Sequence, residues 1–221
     1  MIRSRPIVRY TGGQRINHWL VALLFLLAGL SGLALFHPWL FGLSGLFGGG
    51  TWTRILHPWF GVAMFVFFLL LVIRFARHNG MQRRDWQWLR QANDVVANRE
   101  ERLPEVGRYN AGQKMLFWVL IVLMLVLLLS GLVIWRAWFS HLFDLTSLRL
   151  ASVIHAAAGW LLVMSIIVHV YAGLWVKGSM DAMLFGTVSR AWARKHHSLW
   201  YRQLTGEETP TTRTVHRPPR S

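Results

Sequence analysis

The chain has 221 residues, 54% of them hydrophobic, with 13 tryptophans and a formal charge of +15. Its mean hydropathy is positive, so it reads as one small polytopic membrane domain and not as a soluble core. It contains no cysteine, which excludes disulfides, cysteine-held iron–sulfur clusters and covalent haem attachment, and its basic residues flank apolar spans instead of forming one stripe, which argues against a nucleic-acid partner.

Residues 1–15 carry Arg3, Arg5, Arg9 and Arg15 and no acid, and charge then vanishes until Arg54. Ile16 to Phe36 is the first predicted span; it is longer than a signal-peptide core and no A-x-A site closes it. The uncharged HPWLFGLSGLFGGGT that follows has the glycines and aromatics of an interfacial loop. Ile55 to Ile73 is the second span, bounded by Arg54 and Arg74, with His57 and Pro58 in its first turns, where a proline is tolerated. Residues 74–114 form a polar loop with nine basic and five acidic residues, a tryptophan pair in DWQWLR, and GRYNAGQK just before the third span, Met115 to Trp135. A short loop with His141, Asp144 and Arg149 leads to the fourth span, about 150–176, which holds the run IHAAAGWLLVMSIIVHVYAGLWVK. The tail, 177–221, is basic and is expected to be disordered from about residue 205.

The expected fold class is an all-α integral membrane protein, a four-transmembrane-helix bundle over 16–176. No internal repeat is strong enough to argue from, and there is no β pattern. Four spans put both termini and the central loop on one side, which holds 21 of the 24 lysines and arginines. The other side has only Arg54, Arg136 and Arg149, so both termini are expected in the cytoplasm. The inner loop and the KHH cluster at Lys195 to His197 would meet anionic lipid or help admit protons, the former being the simpler expectation.

Topology sorts the ten histidines. His37 and His141 fall in outer loops, and His78, His196, His197 and His216 in inner polar segments, where a solvated side chain is the ordinary expectation. His18, His57, His155 and His169 lie within spans, where an ionisable group reads as functional. His155 and His169 are separated by a rise of ~21 Å on one helix face. By depth, His57 pairs with His155 near the outer surface and His18 with His169 near the inner one. Two stacked bis-histidine sites suit two low-spin b haems, whereas zinc usually takes four ligands per site. Each of the four is followed four positions later by a small residue, Gly61, Gly159, Gly173 or Ala22, and i and i+4 share a face, so a flat porphyrin has room beside each. Gly32 clears the same face of the first helix at the outer depth. Met64, Met124 and Met164 are read as packing, and Arg54 as a partner for a haem propionate or a snorkelling side chain.

RINHW (Arg15 to Trp19), RILHPWFG (Arg54 to Gly61), VGRYNAGQK (Val106 to Lys114), SGLVIWR (Ser130 to Arg136), IHAAAG (Ile154 to Gly159), HVYAGLWVKGS (His169 to Ser179) and SRAWARKHHSLWYR (Ser189 to Arg202) together resemble a known family. It is the cytochrome b (gamma) subunit of membrane-bound, quinone-linked formate dehydrogenase. The likeness runs from about Ile7 to Gln203. It departs at Ala137 and Ser198, where the family has proline, both away from the candidate ligands.

The resemblance implies a periplasmic molybdenum or tungsten catalytic subunit and an iron–sulfur subunit with one membrane helix, which passes electrons to the outer haem. It implies axial ligation by His57 and His155 outside and by His18 and His169 inside, and a quinone, menaquinone or ubiquinone, bound near Asn110 and His169 at the cytoplasmic face of the bacterial inner membrane. On the residues alone Asn110 also reads as the cap of the third helix. Two other functions fit the same spacing: the cytochrome b of an uptake hydrogenase or of a thiosulfate or polysulfide reductase, and a haem-free anchor or transporter whose histidines bond between helices.

Overall fold

Four apolar runs become helices at Gly12–Phe36, Gly50–Phe75, Ala111–Ile134 and Leu145–Trp175, each long and apolar enough to cross a membrane. Each starts about a turn before its apolar run, because its cap is a polar or glycine residue ahead of the hydrocarbon. Thr11 and Gln14 exchange side-chain and backbone hydrogen bonds in a capping box at the first helix, and Asn110 and Gln113 do the same at the third. Asp144 Oδ1 accepts from Ser147 N at 3.2 Å at the fourth.

The computed structural model describes residues 5–97, 99 and 103–207. In chain order these form β1 (Ile7–Val8), α1 (Gly12–Phe36), a 3-10 stretch (Pro38–Phe47), α2 (Gly50–Phe75), α3 (Arg83–Arg90), α4 (Ala92–Val96), α5 (Ala111–Ile134), α6 (Leu145–Trp175), α7 (Ser179–Leu184), β2 (Thr187–Val188), α8 (Arg190–His196) and α9 (Ser198–Thr205). Nearly all of the tail expected to be disordered, with His216, lies outside the described residues. Because α2 begins at Gly50, Pro58 sits in its third turn and not its first, and removes the N–H that would otherwise bond the Arg54 carbonyl.

α1 packs along α2 and α5 along α6, while the two hairpins meet less extensively through α2 with α5 and α1 with α6. The core between them is Ala28, Met64, Leu123, Met124, Ala158 and Leu162.

The hairpins are related to each other, a repeat the sequence reading did not find. Shifted by 99 residues, α1 and α5 with the residues leading into them match at Arg9 and Arg108, Tyr10 and Tyr109, Gly13 and Gly112, Gln14 and Gln113, and Trp19 and Trp118. They also share LSGL at 30–33 and 129–132. α2 and α6 share H-x-x-x-G at His57 to Gly61 and His155 to Gly159. The contacts obey the same relation: Arg9 donates to the Arg108 carbonyl at 2.9 Å and Arg108 to the Arg9 carbonyl at 2.6 Å. Such reciprocity is what a two-fold axis between equivalent residues produces.

At the end where α1 and α5 begin, the polar segments close into a cap. β1 pairs antiparallel with β2, Ile7 opposite Val188, a ladder too short to leave a β pattern in the sequence. Gly186, at φ +83°, turns into it, and a Cβ there would stand 2.7 Å from the Tyr10 carbonyl. Lys114 Nζ meets Asp85 Oδ2 at 2.7 Å in a buried ion pair. Arg9, 3% exposed, lies 5.0 Å from the rings of both Trp192 and Trp200 and slightly farther from Tyr10 and Tyr109, so aromatic faces hold its charge.

His197 departs from the sequence expectation: it is buried, at 2% exposure, because α8 and α9 fold back under the bundle. Arg9 Nη2 donates to its Nε2 at 3.2 Å, and its Nδ1 donates to the Gly107 carbonyl at 2.8 Å. Burial, and then the charge of Arg9, pull its pKa down to about 3. A histidine in an unfolded chain titrates near ~6.5, so between those two values the unfolded chain binds one more proton and stability falls as pH falls. Thermal unfolding of the detergent-solubilised protein is expected to lose about 1.4 kcal/mol per pH unit below ~6.5 through this group. His197→Gln should flatten that slope, and an unchanged slope would contradict the assignment.

Candidate functional site

The end of the bundle away from Thr11 and Asn110, named the outer end after the expected topology, holds His57 on α2 and His155 on α6. Their ring centroids are 6.1 Å apart with planes at 82°. A metal–imidazole bond of ~2 Å would put each ring centre ~3 Å from a shared metal, so two imidazoles holding one metal between them would stand ~6 Å apart.

Hydrogen bonding fixes which nitrogen of each ring is free. Ser31 Oγ lies 2.7 Å from the Leu27 carbonyl and 3.0 Å from His57 Nδ1. Ser130 Oγ lies 2.6 Å from the Val126 carbonyl and 3.0 Å from His155 Nδ1. A hydroxyl has one proton, and the nearer partner, a carbonyl that can only accept, takes it. Each serine oxygen therefore accepts from Nδ1–H, which leaves Nε2 with its lone pair. The next residue along makes the room: a Cβ on Gly32 would stand 3.1 Å from His57 Cε1, and one on Gly131 3.1 Å from His155 Cε1.

A cavity of about 1490 Å³ opens between the hairpins at this end, above the ~300–1,000 Å³ of ordinary ligand pockets. Both histidines line it, with Gly32, Gly61, Gly131 and Gly159. Arg54 and Arg136, also in its wall, offer cations to carboxylates. Two imidazoles at metal spacing, glycine-cleared apolar walls and two arginines fit a flat macrocycle with acidic edge groups, so the residues suit a b haem.

At the other end, His18 on α1 and His169 on α6 have ring centroids 6.2 Å apart with planes at 53°. They differ in depth from their nearest charged neighbours, yet α1 starts at Gly12 and carries His18 well into the helix, level with His169. His18 Nδ1 is buried with no hydrogen-bond partner among the described residues. The repeat does not reproduce this pair: the counterpart of His18 is Phe117 and that of His169 is Leu71.

Asn110 is the N-cap of α5, its Oδ1 accepting from Gln113 N at 2.8 Å. That engages the oxygen and leaves the amide N–H groups as donors. Met64 and Met124 are buried in the core. His37 accepts from Trp39 N ahead of the 3-10 stretch, His141 is exposed, His78 lies beside Tyr109, and His196 against Trp192. Among the described residues no three His, Asp or Glu side chains converge on a point that would hold a metal. Sequence reasoning missed Ser31, Ser130 and Arg136; the twice-used LSGL was the available signal for the two serines.

The model of the prokaryotic cytochrome b561 family matches residues 9–186. The chain is 43% identical over 208 residues, 94% of its length and 96% of the relative's, to the cytochrome b556(Fdn) subunit of the nitrate-inducible formate dehydrogenase of Escherichia coli (strain K12). It is 43% identical over 204 residues, 92% and 96% of the two chains, to the formate dehydrogenase cytochrome b556(fdo) subunit of the same organism. With the formate dehydrogenase cytochrome b556 subunit of Haemophilus influenzae it shares 37% identity over 197 residues, 89% and 83% of the two chains.

Gly32→Ala tests the site geometry. The added methyl forces the His57 ring aside and is expected to weaken haem retention at the outer end roughly tenfold, by analogy with other losses of ligand support, read as b-type absorbance per chain. Gly12→Ala, in open space and matched by Ala111 in the repeat, should leave it unchanged. Equal haem in both variants would contradict the geometry.

Proposed function

Because the chain belongs to the prokaryotic cytochrome b561 family, we propose that it is the cytochrome b subunit of a bacterial formate dehydrogenase and carries electrons across the inner membrane to quinone. The observation that carries this reading is the pair of histidine couples, each at metal spacing, at opposite ends of one bundle. When bound, two b haems supply one-electron carriers on either side of the bilayer centre.

In this reading His57 and His155 hold the outer group through Nε2, with Arg54 and Arg136 facing its carboxylates. His18 and His169 hold the inner one, ~21 Å away by the helical rise of α6. The termini and the central loop lie in the cytoplasm, since that end carries most of the positive charge. An iron–sulfur subunit with one membrane helix docks at the outer end and is reduced by a molybdenum or tungsten formate-oxidising subunit. At the inner end the Asn110 amide donates to a quinone carbonyl as negative charge builds on it, beside His169. Protons taken from the cytoplasm while electrons arrive from outside contribute to proton-motive force.

The tagged chain, solubilised from its native membrane, is expected to bring down an iron–sulfur subunit and a formate-oxidising subunit. A hydrogenase or a sulfur-compound reductase in their place would overturn the assignment. In that complex Asn110→Ser keeps a helix cap and removes the amide donor. Formate-driven quinone reduction should fall roughly tenfold, the worth of one hydrogen bond to a developing charge, with haem content unchanged. Undiminished quinone reduction would leave Asn110 as a cap alone.

A further inference from the structure

Among the described residues the Ser31–His57 and Ser130–His155 hydrogen bonds have no counterpart at the inner end. Both serines are nearly inaccessible, Ser31 at 0% and Ser130 at 7% exposure, and both sit one residue before the glycine that admits the ring. Their hydroxyl protons are taken by their own helices, so both oxygens face Nδ1–H as acceptors. Among the described residues His18 Nδ1 has no partner, and His169 is joined to its neighbours by a ring contact with His18 and by no side-chain hydrogen bond. The repeat explains why. The outer pair lies on related positions of the two hairpins and each histidine receives a serine, whereas His18 and His169 are single additions at positions the other hairpin fills with Phe117 and Leu71.

Withdrawing the Nδ1 proton toward an acceptor makes an imidazole a stronger donor through Nε2. A stronger donor favours the oxidised form of the metal it binds. We propose that Ser31 and Ser130 are positioning residues that hold His57 and His155 in the Nε2-ligating tautomer and set the outer site at a lower reduction potential than the inner one. The order of potentials, and with it the preferred direction of electron movement from the outer end to the inner, is then written into the two LSGL segments. The inference rests on the haem reading of the two histidine couples.

The test is a redox titration of the intact complex in membranes, followed optically and by electron paramagnetic resonance, on the wild type, His57→Ala, Ser31→Ala, Ser130→Ala and Ser130→Thr. His57→Ala should remove one of two b-type components and so identify the outer one; if it removes neither, the haem reading itself fails. Given that identification, the outer component is expected to have the lower potential in the wild type. Each serine-to-alanine change should raise it and alter its low-spin signal while the inner component stays put, and Ser130→Thr, which keeps the hydroxyl, should restore the wild-type values. If Ser31→Ala does not assemble, Ser130→Ala and Ser130→Thr decide. An outer component that is already the higher of the two, or that does not move in Ser130→Ala, would overturn the inference and leave the haem reading standing. So would both components moving together, the mark of a general structural effect.

Discussion

A histidine ring in hydrocarbon has two nitrogens, and each must be engaged or the helix carrying it is destabilised. The outer half of this bundle is built to meet that demand. His57 and His155 each give Nδ1–H to a serine whose own proton is already used by the preceding turn of its helix. The glycine beside each serine lets the ring approach. What is left over is a pair of Nε2 lone pairs on rings 6.1 Å apart, a demand that a metal between them satisfies. Serine, glycine and histidine are thus one device, and the chain uses it twice.

Using it twice explains the architecture. Two helical hairpins carrying the same residues at the same depth meet around an axis marked at the inner end by Arg9 and Arg108, each bonded to the other's carbonyl. Close packing within each hairpin and looser packing between them leave the volume that Gly32, Gly61, Gly131 and Gly159 line. The inner couple breaks the symmetry, since only α1 carries a histidine at that level of its hairpin's first helix and only α6 at the second. A bundle with a symmetric end and an asymmetric end gives its two histidine couples different surroundings.

The four spans and the histidine couples were legible in the sequence because membranes impose coarse rules. A span needs an uninterrupted apolar run, intramembrane histidines stand out, and 14 residues on a helix return to nearly the same face. Family resemblance then supplied partners and substrate, which no spacing contains. The repeat was hidden because Leu, Val, Ile, Met and Phe replace one another freely in lipid, so between Trp19 and the LSGL segment α1 and α5 keep few identities. His197 was misjudged for a different reason. Its burial depends on α8, α9 and β1 folding together across nearly the whole length of the chain, and a basic tail by itself reads as solvated. Pro58 was placed a turn or two too early because the helix continues outward past Arg54 to Gly50, beyond the charge that seemed to end it.

The claim on which the rest stands is that the two histidine couples hold two b haems. Pyridine haemochrome quantitation on the purified chain, beside a reduced-minus-oxidised spectrum, tests it most directly. Two b haems per chain are expected in the wild type, falling to one in His155→Ala and to one in His18→Ala with different residual spectra. A folded, membrane-inserted wild type with no haem would return the four histidines to helix packing, and one with a single haem would leave one of the two couples without its metal.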